Sequence, residues 1–498
     1  MLKNPTNIFP QIQSIVDYCR QTAVFQQVSG LLSWDQETHM PSGAIDARTN
    51  QQMAMAALIH QRWTSTECRD LLGQFVDLST GQPSQPVSQT EEQLLRELHQ
   101  DWVQANALPE SLVKELTAAT STGQHQWQLA RASNDGRAFI PILSDIVELQ
   151  KKKADALGWQ DHPYDALLNE FEPGMTMPQL TPIFDELKTK LIPLIQQKKV
   201  ATVQPLPGEF SVENQTLYSN ELMELLNFDV TKGRMDTSTH PFTIDIHPSD
   251  VRFTTRYSTD NLMESVSSTI HELGHALYEQ GLPFDWEGTP LGQARSMAFH
   301  ESQSRLWEIF ICQSLPFWTG QYPRLCELFP QLNGLSAEYL YQQCHQVLPQ
   351  WCRVASDPVT YNMHIIIRYE IELALLGGDI GVADIPQCWN QKMVDYLGIE
   401  PASDAQGWLQ DVHWSAGLFG YFPTYALGTI LAAQLYALLK TEIPNLHDQV
   451  AQGHMRPINN WLIKHIHSKG RSLTTNELMK SLGICYDVDA FLMGLQQK

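Results

Sequence analysis

The stretch STIHELGHALYEQG, residues Ser268–Gly281, carries two histidines four positions apart. On a helix, residues i and i+4 lie on the same face about one turn apart, so His271 and His275 can both direct imidazole nitrogens at one ion. Glu272 projects beside them, offset from that ion, where a carboxylate can act as the base of a hydrolysis. The pattern therefore predicts a helix that carries part of a catalytic metal centre.

The residues that flank this stretch support a helix. Ser267 and Ser268 are predicted to cap its start, and Gly281 followed by Pro283 is predicted to end it. The H-E-x-x-H pattern is short, however, and it also occurs by accident in ordinary amphipathic helices. A preceding strand and a helical glutamate further along the chain favour the metal centre over that alternative.

A hydrolytic zinc needs a third protein ligand and one open coordination position. The nearest candidate is Glu301 in SMAFHESQSRLWEIF, a stretch that reads as a second helix beginning near Ser296. A helix packed against the first could deliver Glu301 and complete a set of two histidines and one glutamate. His300 is the alternative, but it points elsewhere than its neighbour and is expected to orient a ligand instead.

The rest of the chain reads as mainly α-helical. Apolar residues recur at helical spacing along most of its length, as in the helix predicted to be capped by Thr90 with Gln93 three residues on. The stretch FTIDIHPSDVRFTTRY, residues 242–257, instead alternates around a turn and predicts a small antiparallel sheet beside the metal centre. We expect one catalytic unit over residues 1–498, which can divide into two helical lobes at about 1–205 and 206–498.

Composition excludes several classes of function. The net charge of −22 argues against binding to nucleic acid or to an anionic membrane. The longest apolar run, Tyr425–Lys440, is too short to span a bilayer, and no secretory signal is visible. The eight cysteines include no C-x-x-C pair, which is typical of reduced thiols. A cytoplasmic protein is predicted.

Several motifs, taken in order along the chain, resemble the carboxypeptidase Taq family of metallocarboxypeptidases. They span about four hundred residues, and the last of them, which fits G-x-x-Q-D-x-H-W, is far more specific than H-E-x-x-H. The matching segments are SWDQETHMP (33–41), YDALLNEFEPGMT (164–176), GRMDTSTHPF (233–242), DVRFTTR (250–256), HELGH (271–275), HESQ (300–303), DPVTYNMHIIIRYEIE (357–372) and GWLQDVHWSAGLFGYFPTY (407–425).

This resemblance implies a mainly helical fold with a long substrate groove, similar to the neurolysin-like and angiotensin-converting-enzyme-like peptidases. It also implies one divalent metal ion per subunit, with Zn²⁺ expected and Co²⁺ as the alternative, and a homodimer. The implied activity is the release of single amino acids from peptides that have a free C-terminus. One motif departs from the family, because CRVASDP keeps Arg353 and Asp357 but has Ser356 and Pro358 where alanine and glutamate are usual. That departure bears on substrate preference.

Roles in the reaction follow from the chemistry of peptide hydrolysis. Glu272 would take a proton from water and later pass it to the leaving amine. His413 and Tyr421 are the candidate donors to the developing oxyanion, with Tyr425 as a competitor for the tyrosine role. Tyr421 and His413 also have ordinary interpretations, because Tyr421 suits core packing and His413 suits a buried, hydrogen-bonded histidine.

A carboxypeptidase must also hold the C-terminal carboxylate of its substrate, and a guanidinium group matches two oxygens well. Arg353 is the first candidate because of its place in the family-like motif, and Arg252 is the second. Arg252 is as readily explained by an ion pair with Asp250.

Two other functions remain open at this level. One is an oligopeptidase or dipeptidyl carboxypeptidase on the same helical architecture. The other is an inactive peptide-binding scaffold, which loss of Glu272 or of a metal ligand would mark. All four residues of the predicted centre are present, which argues against a scaffold.

Overall fold

The computed structural model describes residues 9–197 and 203–496, and most of them are helical. The helices are α1 (Gln13–Thr38), α2 (Ile45–Thr64), α3 (Thr66–Leu72), α4 (Gln89–Ala107), α5 (Glu110–Ser133), α6 (Gly136–Leu157), α7 (Pro163–Phe171), α8 (Met177–Gln197), α9 (Val212–Leu225), α10 (Leu262–Gly281), α11 (Met297–Arg305), α12 (Leu315–Leu328), α13 (Ala337–Cys344), α14 (Tyr361–Gly377), α15 (Ile385–Leu397), α16 (Pro423–Glu442), α17 (Leu446–Ala451), α18 (Arg456–His465), α19 (Thr475–Leu482) and α20 (Val488–Gln496). The predicted mainly α fold is confirmed.

A small sheet lies beside α10 and contains the strands β1 (Gly233–Thr237), β2 (Thr243–His247) and β3 (Asp250–Thr255). The predicted hairpin is confirmed, since β2 pairs antiparallel with β3. The prediction of an antiparallel sheet is wrong, because β3 also pairs with β1 and that pair is parallel. The chain reverses between β1 and β2 and again between β2 and β3, so the central strand β3 runs in the same direction as β1.

The helix starts differ from two predictions. The cap of α4 is Ser88, which forms a capping box with Glu91, so the cap predicted at Thr90 is wrong. The cap of α10 is Asn261, whose side chain accepts a hydrogen bond from the backbone N–H of Glu264. The helix therefore begins well before Ser267 and Ser268, which lie inside it. These errors arise because several polar residues near each start can cap a helix, and packing selects one of them.

The end of the first helix of the predicted centre and the start of the second are as expected. Helix α10 ends at Gly281, and α11 begins after Ser296, whose hydroxyl accepts from the backbone N–H of Phe299. Beyond Arg305 the chain continues as a π-helical segment, Leu306–Cys312. Such wider turns occur often at functional sites.

The close packing of α11 between two helices depends on glycine. A Cβ on Gly274 of α10 would lie 2.5 Å from the Cα of Ser304 in α11. A Cβ on Gly428 of α16 would lie 2.6 Å from the Cβ of Glu301 in α11. Because glycine has no side chain, both neighbours can approach the backbone of α11.

Apolar side chains form two cores. The larger core includes residues from α5 to α20 and surrounds α10, α11 and α16. A smaller core forms among α1, α3 and α4, with Leu291 packed against it. Among the residues described, no helix is long and apolar enough to cross a membrane. The division of the chain into two lobes remains a prediction, as does the long substrate groove.

Candidate metal centre

The structure brings His271, His275 and Glu301 together. One potential ligand atom from each of them lies within 4.8 Å of the others. The Nε2 atoms of His271 and His275 are 3.8 Å and 3.4 Å from Oε2 of Glu301. Tetrahedral zinc with bonds of about 2.0–2.2 Å places its ligand atoms roughly 3.3–3.6 Å apart. The donor set and its spacing therefore fit a divalent ion.

His271 is oriented by a carboxylate on its far side. Its Nδ1 lies 2.9 Å from Oε2 of Glu308, in the π-helical segment after α11. Donation of the Nδ1 proton to Glu308 leaves the lone pair of Nε2 facing Glu301, which is the tautomer that a metal requires. Burial alone would lower the pKa of His271, but Glu301 and Glu308 outweigh it, and the pKa is raised.

His275 is oriented by a second imidazole. Its Nδ1 lies 2.5 Å from Nδ1 of His300, and Nε2 of His300 lies 2.7 Å from Oε1 of Glu279. One assignment of protons satisfies both contacts, with His275 donating to His300 and His300 donating to Glu279. Burial lowers the pKa of His275 to about 3, so its ring is neutral. His300 thus has the contacts of an orienting group.

Glu301 is held as an ionised carboxylate. Its Oε1 accepts a hydrogen bond of 2.7 Å from Nε of Arg305, which leaves Oε2 facing the two histidines. Burial alone would raise the pKa of Glu301, but Arg305 and then His271 outweigh it and hold the pKa well below its usual range. A carboxylate in this state is ready to bind a cation without first losing a proton.

Glu272 lies beside the three candidate ligands and has a partner of its own. The hydroxyl of Thr243, on β2, donates a hydrogen bond of 2.7 Å to Oε2 of Glu272. Burial raises the pKa of Glu272, against the opposing effects of His271 and the Thr243 hydroxyl. A buried carboxylate with a raised pKa is suited to accept a proton near neutral pH.

The predicted oxyanion donors occupy one aromatic cluster. Nε2 of His413 lies 3.0 Å from the hydroxyl of Tyr425, and the rings of Tyr421 and Tyr425 meet edge to face at 5.4 Å. Burial lowers the pKa of His413 to about 3. The pKa of Tyr421 is raised by burial and further by the charges of Glu301 and Glu272.

Arg353 is buried in a cluster of charges. Its Nε and Nη2 donate to Oδ1 of Asp411 at 3.0 Å and 2.8 Å, and its Nη1 donates to the Tyr361 hydroxyl at 2.8 Å. Oδ2 of the same aspartate accepts from Nε of Arg368 at 2.7 Å. Two guanidinium groups therefore share one carboxylate, and the trio of Arg353, Arg368 and Asp411 has a net positive charge.

Arg252 has a different environment. It forms a two-pronged pair with Asp250, with distances of 2.7 Å and 2.8 Å, and its guanidinium lies 5.8 Å from the ring centre of Trp34. The pair with Asp250, which the sequence left open as an alternative, is present in the structure. One carboxylate balances one cation here, unlike in the Arg353 cluster.

Ser356 and Pro358, which depart from the family motif, lie between Arg353 and the start of α14. The Asp357 side chain lies before the start of α14, where it accepts from the backbone N–H groups of Val359 and Thr360 and from that of Leu348. The backbone N–H of Arg353 donates to Oε1 of Gln410 at 2.8 Å. Among the described contacts of Arg353 with side chains, none involves Ser356 or Pro358.

Sequence reasoning missed several residues that shape this site, namely Thr243, Glu279, Arg305, Glu308, Arg368 and Asp411. A signal existed for two of them, since Arg305 and Glu308 follow Glu301 by four and seven residues and so share its helical face. Asp411 lies within the specific G-x-x-Q-D-x-H-W motif but was given no role. Thr243 reaches the centre because the sheet packs against α10, where its hydroxyl donates to Glu272.

Comparisons with known proteins agree with this geometry. Residues 14–498 match the model of the family described as carboxypeptidase Taq (M32) metallopeptidase. The chain is 38% identical to thermostable carboxypeptidase 1 of Thermus thermophilus and 34% identical to that of Pyrococcus furiosus, with 98% of each chain covered in both comparisons. It is 34% identical to carboxypeptidase 1 of Bacillus subtilis over 93% of each chain.

Solved structures show the same similarity. A carboxypeptidase of Pyrococcus furiosus superposes with a TM-score of 0.92 at 34% identity, and metallocarboxypeptidase 1 of Trypanosoma cruzi with 0.90 at 31%, each covering 98% of both chains. A putative oligoendopeptidase F has a TM-score of 0.54 at 12% identity, covering 98% of this chain and 95% of its own, which shows a shared fold alone.

Proposed function

The chain belongs to the carboxypeptidase Taq (M32) family of metallopeptidases, and from that premise we propose how its site releases amino acids from peptides. It is a metallocarboxypeptidase, and its relatives do not favour the oligopeptidase alternative. The observation that carries the proposal is the approach of His271, His275 and Glu301 to within 4.8 Å of one another, with Glu272 beside them. We assign the first three residues to the metal and Glu272 to the general base.

Zinc is the ion that this donor set suits best, with cobalt as the alternative. Two neutral imidazoles and one carboxylate are a typical catalytic zinc set that leaves one position open. The ion, when bound, polarises the scissile carbonyl group and lowers the pKa of water. Glu308 and the His300–Glu279 pair would hold the two imidazoles in the tautomers described above.

Glu272 would accept the proton of the attacking water and transfer it to the leaving amine. Burial raises the pKa of Glu272, which makes it a better proton acceptor, and the hydrogen bond from Thr243 fixes its orientation; both support this assignment. Tyr421 is the proposed donor to the oxyanion, since burial and the charges of Glu301 and Glu272 raise its pKa and keep its hydroxyl protonated. His413 and Tyr425, bonded to each other, are the alternative donors.

The substrate carboxylate would bind at Arg353. The net positive charge of the cluster that Arg353 forms with Arg368 and Asp411 supports this role, because one further carboxylate would balance it. Both guanidinium groups are buried, but Arg353 keeps 3% exposure and Arg368 keeps none, so Arg353 is the candidate of the two for contact with a substrate. Arg252 is the second candidate, although Asp250 already balances its charge.

The test uses one short peptide prepared with a free C-terminal carboxylate and again with a C-terminal amide. Zinc-loaded protein is incubated with each form, and the products are identified by mass. Loss of single residues from the free acid alone is expected. Release of dipeptides, or cleavage of both forms at internal bonds, would contradict single-residue release and remove Arg353 from its role.

Assembly and location are proposed on narrower grounds. We propose a homodimer from the family resemblance, to be checked by sedimentation equilibrium across a range of protein concentrations. A cytoplasmic location is supported by the cysteines, all eight of which are free thiols in the structure.

A further inference from the structure

We propose that Arg305 is the positioning residue of the metal centre, because one guanidinium holds both carboxylates that define the ligand geometry. This inference rests on the proposed function, since it takes His271, His275 and Glu301 as the ligands. It assigns Arg305 no contact with substrate or metal.

The first contact of Arg305 sets the orientation of Glu301. Nε of Arg305 donates to Oε1 of Glu301 at 2.7 Å, while Oε2 of the same carboxylate faces Nε2 of His275 at 3.4 Å. A carboxylate held by one oxygen presents the other in a fixed direction, so its rotation about the last side-chain bond is restricted. Without Arg305, that oxygen would be free to leave the position that faces the histidines.

The second contact sets the orientation of His271. Nη1 of Arg305 lies 3.3 Å from Oε2 of Glu308, and the same oxygen lies 2.9 Å from Nδ1 of His271. Ser267 donates to the other oxygen, Oε1, at 2.6 Å, so both oxygens of Glu308 are held. The spacing explains how one side chain reaches both partners, because residues i, i+4 and i+7 share one face of a helix.

The third contact fixes the guanidinium itself. Its central carbon lies 4.1 Å from the ring centre of Tyr361, whose hydroxyl accepts from Arg353. The Arg305 side chain is largely buried, with 10% of its surface exposed. A buried cation with two carboxylate partners and an aromatic face has little freedom to move. It also connects the ligand helix to the cluster of Arg353.

An arginine in such a network could instead serve stability alone, and the test separates the two roles. Metal affinity is measured by competition with a chromophoric chelator, and the visible spectrum of the Co²⁺-loaded protein reports ligand geometry. The variants are Arg305→Gln, Arg305→Lys and a matched control, Arg471→Gln. Arg471 is similarly buried and also contacts two carboxylates, those of Glu97 and Asp101.

Arg305→Gln is expected to weaken metal binding by about 10- to 100-fold and to change the Co²⁺ spectrum, as loss of an outer hydrogen-bond partner does. Arg305→Lys should fall between that variant and wild type, since a single ammonium cannot hold both carboxylates as a fork does. Arg471→Gln should keep the wild-type affinity and spectrum. An affinity and spectrum unchanged in Arg305→Gln would overturn the inference.

Two further results have defined meanings. If Arg305→Gln does not fold, the inference is tested with Arg305→Lys instead. Wild-type metal affinity and a wild-type Co²⁺ spectrum in Arg305→Lys would also overturn the inference. If wild-type protein binds metal but Glu301→Gln does not weaken that binding, the proposed ligand set itself is wrong and the inference falls with it. Binding that depends on Glu301 but not on Arg305 would overturn the inference alone.

Discussion

Gly428 of α16 lies directly against Glu301 of α11, so closely that a Cβ at position 428 would be 2.6 Å from the Glu301 Cβ. The third candidate ligand thus owes its position to the absence of a side chain on a neighbouring helix. The backbone oxygen of Ala298 would lie 2.9 Å from the same added atom. A movement of the Glu301 side chain alone would therefore not relieve the clash, and the backbone of α11 would also have to shift.

Gly428→Ala should therefore displace Glu301, weaken metal binding and lower the free energy of unfolding by about 1–3 kcal/mol. The matched control is Gly30→Ala in α1, where an added Cβ would meet Ile246 at an ordinary 3.6 Å. The free energy of unfolding of that variant should rise by up to about 1 kcal/mol, because alanine has a higher helix propensity than glycine, and its metal affinity should not change. Chelator competition and denaturant unfolding measure both quantities, and equal behaviour of the two variants would contradict the packing argument.

Thr243→Val should move the acidic limb of the pH profile of kcat/KM to higher pH. The hydroxyl of Thr243 stabilises the ionised form of Glu272, so its removal raises a pKa that burial has already raised. The base must be ionised to act, and activity on the acid side therefore falls. Thr243→Ser keeps the hydroxyl and should keep the wild-type profile. An unshifted profile in the valine variant would separate Thr243 from the base.

Glu172→Gln should become more stable, relative to wild type, as the pH rises. Burial raises the pKa of Glu172 from 4.5 to about 8, and its Oε1 accepts from the backbone N–H of Ala298. Because the folded state holds this proton more tightly, its stabilising contribution is complete below about 4.5 and is lost as the pH rises to about 8. Glutamine keeps an uncharged acceptor throughout.

The measurement is urea unfolding of both proteins, without metal, across that pH window. The free energy of unfolding of Glu172→Gln minus that of wild type should increase as the pH rises from about 4.5 to about 8. A difference independent of pH would show that Glu172 is ionised in the folded protein under all these conditions.

Arg353→Gln should lower kcat/KM for a peptide with a free C-terminus by roughly 10- to 100-fold, mainly through a higher KM. The amide form of the peptide has no carboxylate to lose, so the ratio of the two rates should fall toward one. Arg252→Gln breaks a pair that Asp250 already balances and should have a smaller effect on this ratio. A larger effect at Arg252 would reverse the order of the two candidates.

Local patterns predicted the parts of the fold that depend on neighbouring residues. The end of α10 at Gly281, the start of α11 after Ser296 and the pairing of β2 with β3 follow from spacing and turn chemistry within a few residues. Strand β1 was not predicted, because GRMDT is short and polar and becomes a strand only by pairing with β3.

The charged partners of Arg252 and Arg353 differ in how far a local pattern could predict them. Asp250 is two residues from Arg252 on the same face of a strand, and the sequence suggested their pair. Asp411 joins Arg353 and Arg368 across 58 and 43 residues, which no local pattern encodes. Helix packing decides which buried cation meets which buried carboxylate, and periodicity in one chain does not specify that choice.

We propose that Glu301 binds the metal and that Glu272 acts as the general base. This proposal is tested most directly by measuring bound zinc and single-residue release in wild type, Glu272→Gln and Glu301→Gln. Wild type should bind one zinc per chain and cleave. Glu272→Gln should bind zinc with wild-type affinity while cleavage falls by about 100- to 10,000-fold, and Glu301→Gln should lose both properties. Loss of zinc from Glu272→Gln, or wild-type cleavage by it, would contradict the account.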